Sequence, residues 1–261
     1  MTGAEFEFGL WLSALPLLLV AAMLTWLLSL PLRNVGLVEP LWSLMVFAAG
    51  VVYALDSDPR APRMSLVLWL CALWAARLAW HLARRNARQP ESRRLADMRA
   101  RHEPHFGLKS LYLVFWRRVL MAWVVSLPLL GAFTSIAPLG RLDYCGMLLW
   151  LVGFVFEAGA DWQLRRFNAS AGTADAVLNR GFWRYTRHPN YFGECCIWWG
   201  FFLFALAAGA WWALPAPLLV TGLLLRTAGL PPFGRNRDSR RPQYADYVLK
   251  TNAFLPGKPR E

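Results

Sequence analysis

Charged residues are scarce in this sequence. Only 17% of its 261 residues are charged, whereas 57% are hydrophobic and 15% are aromatic. Soluble domains usually carry about 25% charged residues, and a domain of this size has too small a core to bury so many apolar side chains. Intrinsic disorder is excluded as well, because disordered segments contain few hydrophobic residues. The composition therefore predicts an integral membrane protein.

Cysteine and acidic residues are also few. The four cysteines all lie in apolar stretches, where we expect packing residues and neither a disulfide framework nor metal ligands. The 28 Lys and Arg residues outnumber the 16 Asp and Glu residues, which gives a net charge of +12. In a membrane protein this excess reports topology and contact with anionic lipid before it reports a ligand. We therefore expect membrane lipids, and no nucleic acid, as partners of the basic loops.

Seven hydrophobic runs predict the transmembrane segments. Most of them reach the roughly 17–25 residues that a helix needs to cross a bilayer. We predict an all-α integral membrane protein of about seven transmembrane helices, in a single domain over residues 1–261 with a cytoplasmic tail at 228–261. Only Ala210, Trp211 and Trp212 separate the last two runs, so counts of six and eight stay open. The predicted spans lie near residues 9–31, 38–56, 64–83, 109–133, 142–160, 191–210 and 211–227.

The distribution of positive charge predicts the orientation. With seven spans, 21 of the 28 Lys and Arg residues fall on the side that carries the C-terminus, and 3 fall on the opposite side. Cytoplasmic loops carry the excess of Lys and Arg in membrane proteins. The C-terminus is therefore predicted to be cytoplasmic and the N-terminus to lie outside.

Ionisable residues within the predicted spans cluster in their cytoplasmic halves. Charges at that depth cost several kcal/mol unless they are paired or hydrated, and residues four apart share one face of a helix. Arginines near helix ends commonly extend their guanidinium groups to the membrane interface. For Arg118, Arg165 and Arg226, each taken alone, this explanation competes with a polar cavity. The shorter carboxylates favour a polar cavity. The clustered residues are Glu39, Arg77, His81, Arg117, Arg118, Glu157, Asp161, Arg165, Asn190, Glu194 and Arg226.

Residues 179–194 form the richest polar segment. Pro189 disfavours helix at His188 and suits the first turn of the next helix, and a helix N-terminus beside arginines binds phosphate well. The alternative is a positive loop beside anionic lipid. In the tail, Tyr244 and Tyr247 are one helical turn apart and either cover a ring or ribose or anchor the interface. The ligand candidates in segment 179–194 are Arg180, Tyr185, Arg187, His188, Asn190 and Glu194.

Residues 187–194, RHPNYFGE, are followed by Trp198, Trp199 and Gly200. This pattern resembles the signature of the steroid 5-alpha-reductase C-terminal superfamily and, more narrowly, of its bacterial branch, the DUF1295 membrane proteins. The likeness is strongest from Glu157 to Pro256. It implies seven transmembrane helices in the bacterial inner membrane, NADPH bound on the cytoplasmic side and a lipid-like substrate.

The resemblance also implies roles for particular residues. Asn190 and Glu194 match the residues that contact the nicotinamide end. Glu39 matches the acidic residue of a Gln-Glu pair on the second span, which makes it the catalytic candidate and the proton donor. The Gln of that pair and a Tyr of the third span are replaced by Val38 and Trp74, which argues against a steroid 4-ene-3-ketone as substrate. Further cofactor candidates are Arg77, His81, Glu157, Asp161, Arg165, Arg180, Tyr185, Arg187, His188, Arg226, Tyr244 and Tyr247, and substrate candidates are Trp42, Trp74 and Tyr191.

Three functions compete on this sequence. The leading one is an NADPH-dependent reductase of a C=C bond, conjugated to a carbonyl, in a steroid-like or other lipid. The second is an S-adenosylmethionine-dependent methyltransferase of the isoprenylcysteine or phospholipid type, which shares Arg-His-Pro-x-Tyr-x-Gly. Such enzymes usually carry a pair of glutamates after the next span, and none follows Arg226 here. The third is a non-catalytic lipid binder.

Overall fold

The computed structural model describes residues 4–58, 61–87, 91–170, 176–228 and 242–260, and within these ranges the chain is helical with no strand. Five helical segments are long and apolar enough to cross a membrane. The predicted all-helical membrane class is therefore confirmed. The five segments are Phe8–Leu32, Val35–Leu55, Pro62–Asn86, Phe106–Phe133 and Arg141–Ser170.

The helices follow the hydrophobic runs of the sequence, and two polar helices, α4 and α11, lie outside those runs. Short 3-10 turns occur at Val35–Leu37, Gly181–Arg184 and Trp211–Ala213. The α-helices in the described ranges are α1 Phe8–Leu32, α2 Val38–Leu55, α3 Pro62–Asn86, α4 Arg93–His102, α5 Phe106–Ser110, α6 Arg117–Val125, α7 Leu127–Phe133, α8 Arg141–Ser170, α9 Pro189–Ala207, α10 Pro215–Thr227 and α11 Pro242–Lys250.

The fourth span is continuous but irregular. A π-helical stretch, Leu111–Trp116, joins α5 to α6, and Ser126 separates α6 from α7. The Ser126 hydroxyl lies 2.9 Å from the hydroxyl of Tyr53 and donates to the carbonyl of Trp123 at 2.8 Å. Hydropathy alone predicted a plain helix from 109 to 133, because it registers apolar side chains and not the hydrogen-bond pattern of the backbone.

Helix α8 is longer than the sequence analysis predicted. It has 30 residues and ends at Ser170, whereas the predicted fifth span ended at 160. Thirty helical residues measure about 45 Å, well beyond the roughly 30 Å thickness of the hydrocarbon core. Its last ten residues are mostly polar but include good helix formers, so the apolar run ends before the helix does.

The chain divides into two compact units. The first, here called the N-terminal unit, comprises Met1–Gly140 and Phe204–Ala216. The second, the C-terminal unit, comprises Arg141–Leu203 and Pro217–Glu261.

Helix α2 forms the centre of the N-terminal unit, where it packs against α3, α1 and α6. An aromatic pair fastens α1 to α6. The indole rings of Trp11 and Trp123 stack with centroids 3.7 Å apart, and each indole N–H donates to the backbone carbonyl of the other residue. Trp212 donates in the same way to the carbonyl of Ala4. These bonds satisfy indole N–H groups that would otherwise be costly in an apolar environment.

Helices α8 and α9 form the core of the C-terminal unit and touch backbone to backbone. A Cβ atom added at Gly193 would lie 2.5 Å from the nitrogen of Glu157 and 2.5 Å from the carbonyl oxygen of Gly153. One added at Gly200 would lie 2.8 Å from the carbonyl oxygen of Gly146. Small residues permit this close approach, as is common where membrane helices pack together.

Candidate functional site

The C-terminal unit brings four of the predicted site residues to two facing helix segments. Asn190 in the first turn of α9 donates through Nδ2 to Oδ1 of Asp161 in α8 at 3.3 Å. Asp161 is 7% exposed, and Glu157, one turn earlier on the same face of α8, is 3% exposed. Glu194, one turn after Asn190, is half-buried. We call Glu157, Asp161, Asn190 and Glu194 the polar cluster.

Local sequence explains why the polar cluster forms. Pro189 is the first residue of α9, as predicted, so Asn190 and Glu194 lie on its first turns. Gly193 then allows those turns to rest directly on the backbone of α8 beside Glu157. A larger residue at 193 would hold the two polar segments apart.

The loop before α9 is fixed to the C-terminal half of α8. The indole N–H of Trp183 donates to the carbonyl of Ala160 at 3.2 Å. The backbone N–H of Phe182 donates to Oε1 of Gln163 at 3.0 Å. Gly181 adopts φ +62 to make this turn, a conformation that glycine tolerates without cost. These contacts hold the RHPNYFGE segment in register with Asp161.

The C-terminal segment holds the same loop from its other side. We call α11 with residues 251–257 the C-terminal clamp. Thr186 donates through Oγ1 to the carbonyl of Phe254 at 2.8 Å, the N–H of Arg187 donates to the carbonyl of Asn252 at 2.9 Å, and the N–H of Gly257 donates to the carbonyl of Tyr185 at 3.1 Å. The clamp therefore orders the loop by backbone hydrogen bonds.

Tyr247 belongs to this clamp. It is buried, and its hydroxyl donates to the carbonyl of Trp183 at 2.5 Å. Burial raises the pKa of Tyr247 above its ordinary value. The ring of Tyr244 lies 6.0 Å from it, and Tyr244 is half-buried. The Tyr247 hydroxyl thus holds the loop, whereas the sequence predicted that Tyr247 either covers a ring or ribose or anchors the membrane interface.

His188 is uncharged at neutral pH. Burial, assisted by the charge of Arg187, lowers the pKa of His188 to about 4. Its ring stacks on Tyr191, with centroids 5.4 Å apart and planes at 4°. A neutral imidazole can donate one hydrogen bond and accept another, but it carries no positive charge to balance that of a phosphate.

The arginines predicted to meet the cofactor differ in their surroundings. Arg165, Arg180 and Arg226 are exposed, as is Tyr185. Arg187 is half-buried, and its Nε atom is buried without a hydrogen-bond partner among the residues that the structure describes. A buried donor of this kind is costly unless a ligand accepts from it, which makes Arg187 the best placed of the four for an anion.

The N-terminal unit holds the remaining predicted site residues. Glu39, in the first turn of α2, accepts a hydrogen bond from Arg85 of α3 at 2.5 Å, and its side chain is 16% exposed. Arg85 therefore holds the Glu39 side chain against α3. Trp42 and Trp74 are buried in α2 and α3, and Arg77 and His81 are half-buried on α3.

Sequence reasoning missed Arg85 as the partner of Glu39. A signal was present, because Arg85 follows His81 by four residues and His81 follows Arg77 by four. The three residues therefore share one face of α3. The sequence shows that these residues share a face of α3. It does not show that α2 packs there and supplies Glu39 as the partner of Arg85.

Arg99 was also missed. It lies among the basic residues between the predicted third and fourth spans, and membrane lipid is the partner that the sequence predicts for such loops. In the structure its Nε and Nη2 atoms donate to the two carboxylate oxygens of Glu91 at 3.1 Å, and Nη2 also donates to the carbonyl of Arg33 at 3.0 Å. Glu91 accepts in addition from the N–H of Val35. This network ties the segment before α4 to the loop between α1 and α2.

Comparison with known proteins yields a family and one relative. The family model described as "Protein of unknown function (DUF1295)" matches residues 25–251. The chain is similar to the "Uncharacterized protein C594.04c" of Schizosaccharomyces pombe, with 25% identity over an alignment of length 262 that covers 88% of this chain and 75% of the relative. No solved structure matches the chain.

Proposed function

The chain belongs to the DUF1295 family, and we propose that this member is an NADPH-dependent membrane reductase acting on a C=C bond, conjugated to a carbonyl, of a steroid-like or other lipid. The observation that carries the proposal is the buried Asp161 hydrogen-bonded to Asn190 at the junction of α8 and α9. Buried ionisable groups at membrane depth are a functional site by default, because they are costly to keep there.

The polar cluster has the chemistry that a nicotinamide carboxamide needs. A carboxamide presents two N–H donors and one carbonyl acceptor. Asp161 and Glu194 offer carboxylate oxygens for the donors, and the Nδ2 group of Asn190 offers an N–H for the carbonyl. The buried Nε atom of Arg187 adds a charged donor for a phosphate oxygen. The residues present therefore fit the cofactor that the resemblance implies.

When bound, NADPH supplies a hydride to an electron-poor carbon. The task of the chain is to orient the nicotinamide through the polar cluster, to exclude water, and to stabilise the negative charge that develops on the substrate carbonyl. A proton must then reach the neighbouring carbon. Glu39 stays the predicted donor, but its ion pair with Arg85 must open first.

We further propose the topology that places this cluster on the cytoplasmic side, where NADPH is found. Helices α9 and α10 would complete seven spans, with the N-terminus outside and the C-terminus in the cytoplasm. In a bacterial cell the membrane would be the inner membrane. An apolar helical scaffold suits a lipid substrate, which can reach the site without leaving the bilayer.

The test is cofactor binding to purified, monodisperse protein in detergent. NADPH, NADH and S-adenosylmethionine are titrated separately, and NADPH should bind more tightly than either of the others. Glu194→Gln and Asp161→Asn should each weaken NADPH binding about 10- to 150-fold, since a charged hydrogen bond contributes roughly 1.5–3 kcal/mol.

Glu5→Gln is the control, because Glu5 is exposed near the N-terminus and its replacement should leave NADPH affinity unchanged. Wild-type affinity in both cluster variants would favour the lipid binder. Tighter binding of S-adenosylmethionine than of NADPH would favour the methyltransferase.

A further inference from the structure

A cavity of about 410 Å³ lies in the C-terminal unit between the loop before α9 and the C-terminal clamp. None of the ionisable residues in its lining was a candidate in the sequence analysis except Tyr247. The lining includes Asn179, Arg184, Asp246, Tyr247, Lys250 and Thr251.

We propose that this cavity binds a phosphate monoester and, resting on the proposed function, that this phosphate is the 2′-phosphate that distinguishes NADPH from NADH. Arg184 and Lys250 supply two positive charges, and Asn179 and Thr251 supply neutral polar groups. Such groups match a phosphate dianion with several acceptor oxygens.

The walls of the cavity are held by backbone hydrogen bonds and not by the charged side chains themselves. The N–H of Gly257 donates to the carbonyl of Tyr185, and the N–H of Arg260 donates to the carbonyl of Lys250 at 2.8 Å. The hydroxyl of Tyr247 closes the side toward Trp183. The backbone around Arg184 and Lys250 is therefore held by its neighbours, and the exposed side chains of both residues can turn toward a phosphate.

One acidic residue opposes the two cations. Asp246 lies in the cavity lining, and its carboxylate pairs with Lys250 at 3.7 Å. Both side chains are more than half exposed, so this pair is weak and a phosphate can compete for Lys250. Removal of the Asp246 charge should therefore strengthen phosphate binding, which is the opposite effect to removal of either cation.

The cavity and the polar cluster are within reach of one dinucleotide. Arg184 precedes Asn190 by six residues, which span at most about 20 Å when fully extended. Trp183 links the two places directly, because its carbonyl accepts from Tyr247 at the cavity and its indole donates to Ala160, the neighbour of Asp161.

The experiment uses the full chain in detergent and compares fragments that carry the phosphate without the nicotinamide. We expect 2′,5′-ADP to bind more tightly than 5′-AMP. Arg184→Gln and Lys250→Gln should each reduce 2′,5′-ADP affinity about two- to fivefold, as expected for exposed charges, and leave 5′-AMP affinity unchanged. Asp246→Asn should raise 2′,5′-ADP affinity. The matched control is Lys258→Gln, an exposed lysine of the same segment outside the cavity lining.

The outcomes separate this inference from the proposed function. Loss of NADPH binding in the polar-cluster variants, with equal 2′,5′-ADP affinity in wild type, Arg184→Gln and Lys250→Gln, overturns the inference and leaves the reductase standing. Weaker 2′,5′-ADP binding in Arg184→Gln and Lys250→Gln supports the inference even if the polar-cluster variants bind NADPH as tightly as wild type does. Nanodiscs of anionic and of zwitterionic lipid form the last arm. If the two cation variants change only the binding of anionic phospholipid, the phosphate belongs to a lipid headgroup and the inference is overturned.

Discussion

His188 couples the stability of the loop to pH. Its pKa is about 4 in the folded protein and 6.5 in the unfolded chain, so the unfolded state takes up the proton first as the pH falls. Stability attributable to this group is present above pH 6.5 and is lost as the pH falls toward 4. We expect the loss to reach about 1.5 kcal/mol between pH 6.5 and 5.

The measurement is the thermal midpoint of detergent-solubilised protein across that pH range. Wild type should lose several degrees, and His188→Gln should show a flatter profile because it has no imidazole to charge. His105→Gln is the control, since His105 is exposed just before α5 and its replacement should leave the wild-type profile. An equally steep profile in His188→Gln would contradict the assignment.

Individual residues show what local pattern can and cannot predict. Asn190, Glu194 and Asp161 were identified from the motif and from four-residue spacing, and the structure brings Asn190 and Asp161 into contact. The pairing of Glu39 with Arg85 and the bond from Tyr247 to Trp183 were not predicted. Spacing along one helix reports a shared face, but a partner from another segment depends on the packing of the whole unit.

Helix ends illustrate the same limit at the scale of elements. The apolar runs located α1, α2 and α3 to within a few residues. They missed the last ten residues of α8 and the polar helix α4, because hydropathy reports where a segment can leave the membrane and not where its backbone hydrogen bonds stop. The start of α9 was predicted correctly, since Pro189 marks it chemically.

The contact between α8 and α9 should be intolerant of even one methyl group. We predict that Gly193→Ala lowers stability by roughly 1–3 kcal/mol, since its Cβ would lie 2.5 Å from backbone atoms of α8 that cannot turn away. The check is the thermal midpoint of the purified variant, which should fall by several degrees.

Gly222→Ala supplies the matched control. Gly222 is a helical glycine of α10, and a Cβ added there meets nothing within 4 Å. Alanine favours helix over glycine by about 1 kcal/mol, so this variant should be as stable as wild type or more so. If both variants melt at the wild-type temperature, the two helices are not in backbone contact.

At the scale of the whole molecule, the sequence predicted the all-helical membrane class, while its count of seven spans stays a prediction. Within the part of the chain that the structure describes, five segments meet the length and hydropathy of a span. Helix α9 carries Asn190, Glu194 and two tryptophans in its 19 residues, and α10 has only 13. The polar residues that mark the candidate site thus also lower the mean hydropathy of α9.

Orientation is the last prediction, because the reductase proposal depends on it. In a chain freed of its native cysteines, Cys replacing Arg94, on the amphipathic helix α4, should resist a membrane-impermeant thiol reagent added outside intact cells, and so should Cys replacing Gln243. Cys replacing Asp58 or Ile136 should react, because the proposed topology places both positions in loops of the opposite side. Cys145 must be among the residues removed, since the structure leaves it exposed and not packed as predicted.

Labelling at these positions also tests on which side of the membrane the polar cluster lies. Helix α8 starts at Arg141, next to the loop that holds Ile136, and carries Asp161 twenty residues further on, about 30 Å along the helix axis. That rise equals the hydrocarbon thickness, so in the proposed topology Asp161 lies near the membrane boundary opposite to the start of α8. Reaction at Ile136 with protection at Arg94 would therefore put the cluster at the cytoplasmic boundary. The reverse pattern would expose it to the outside, where no NADPH is available, and the reductase proposal would fall with the topology.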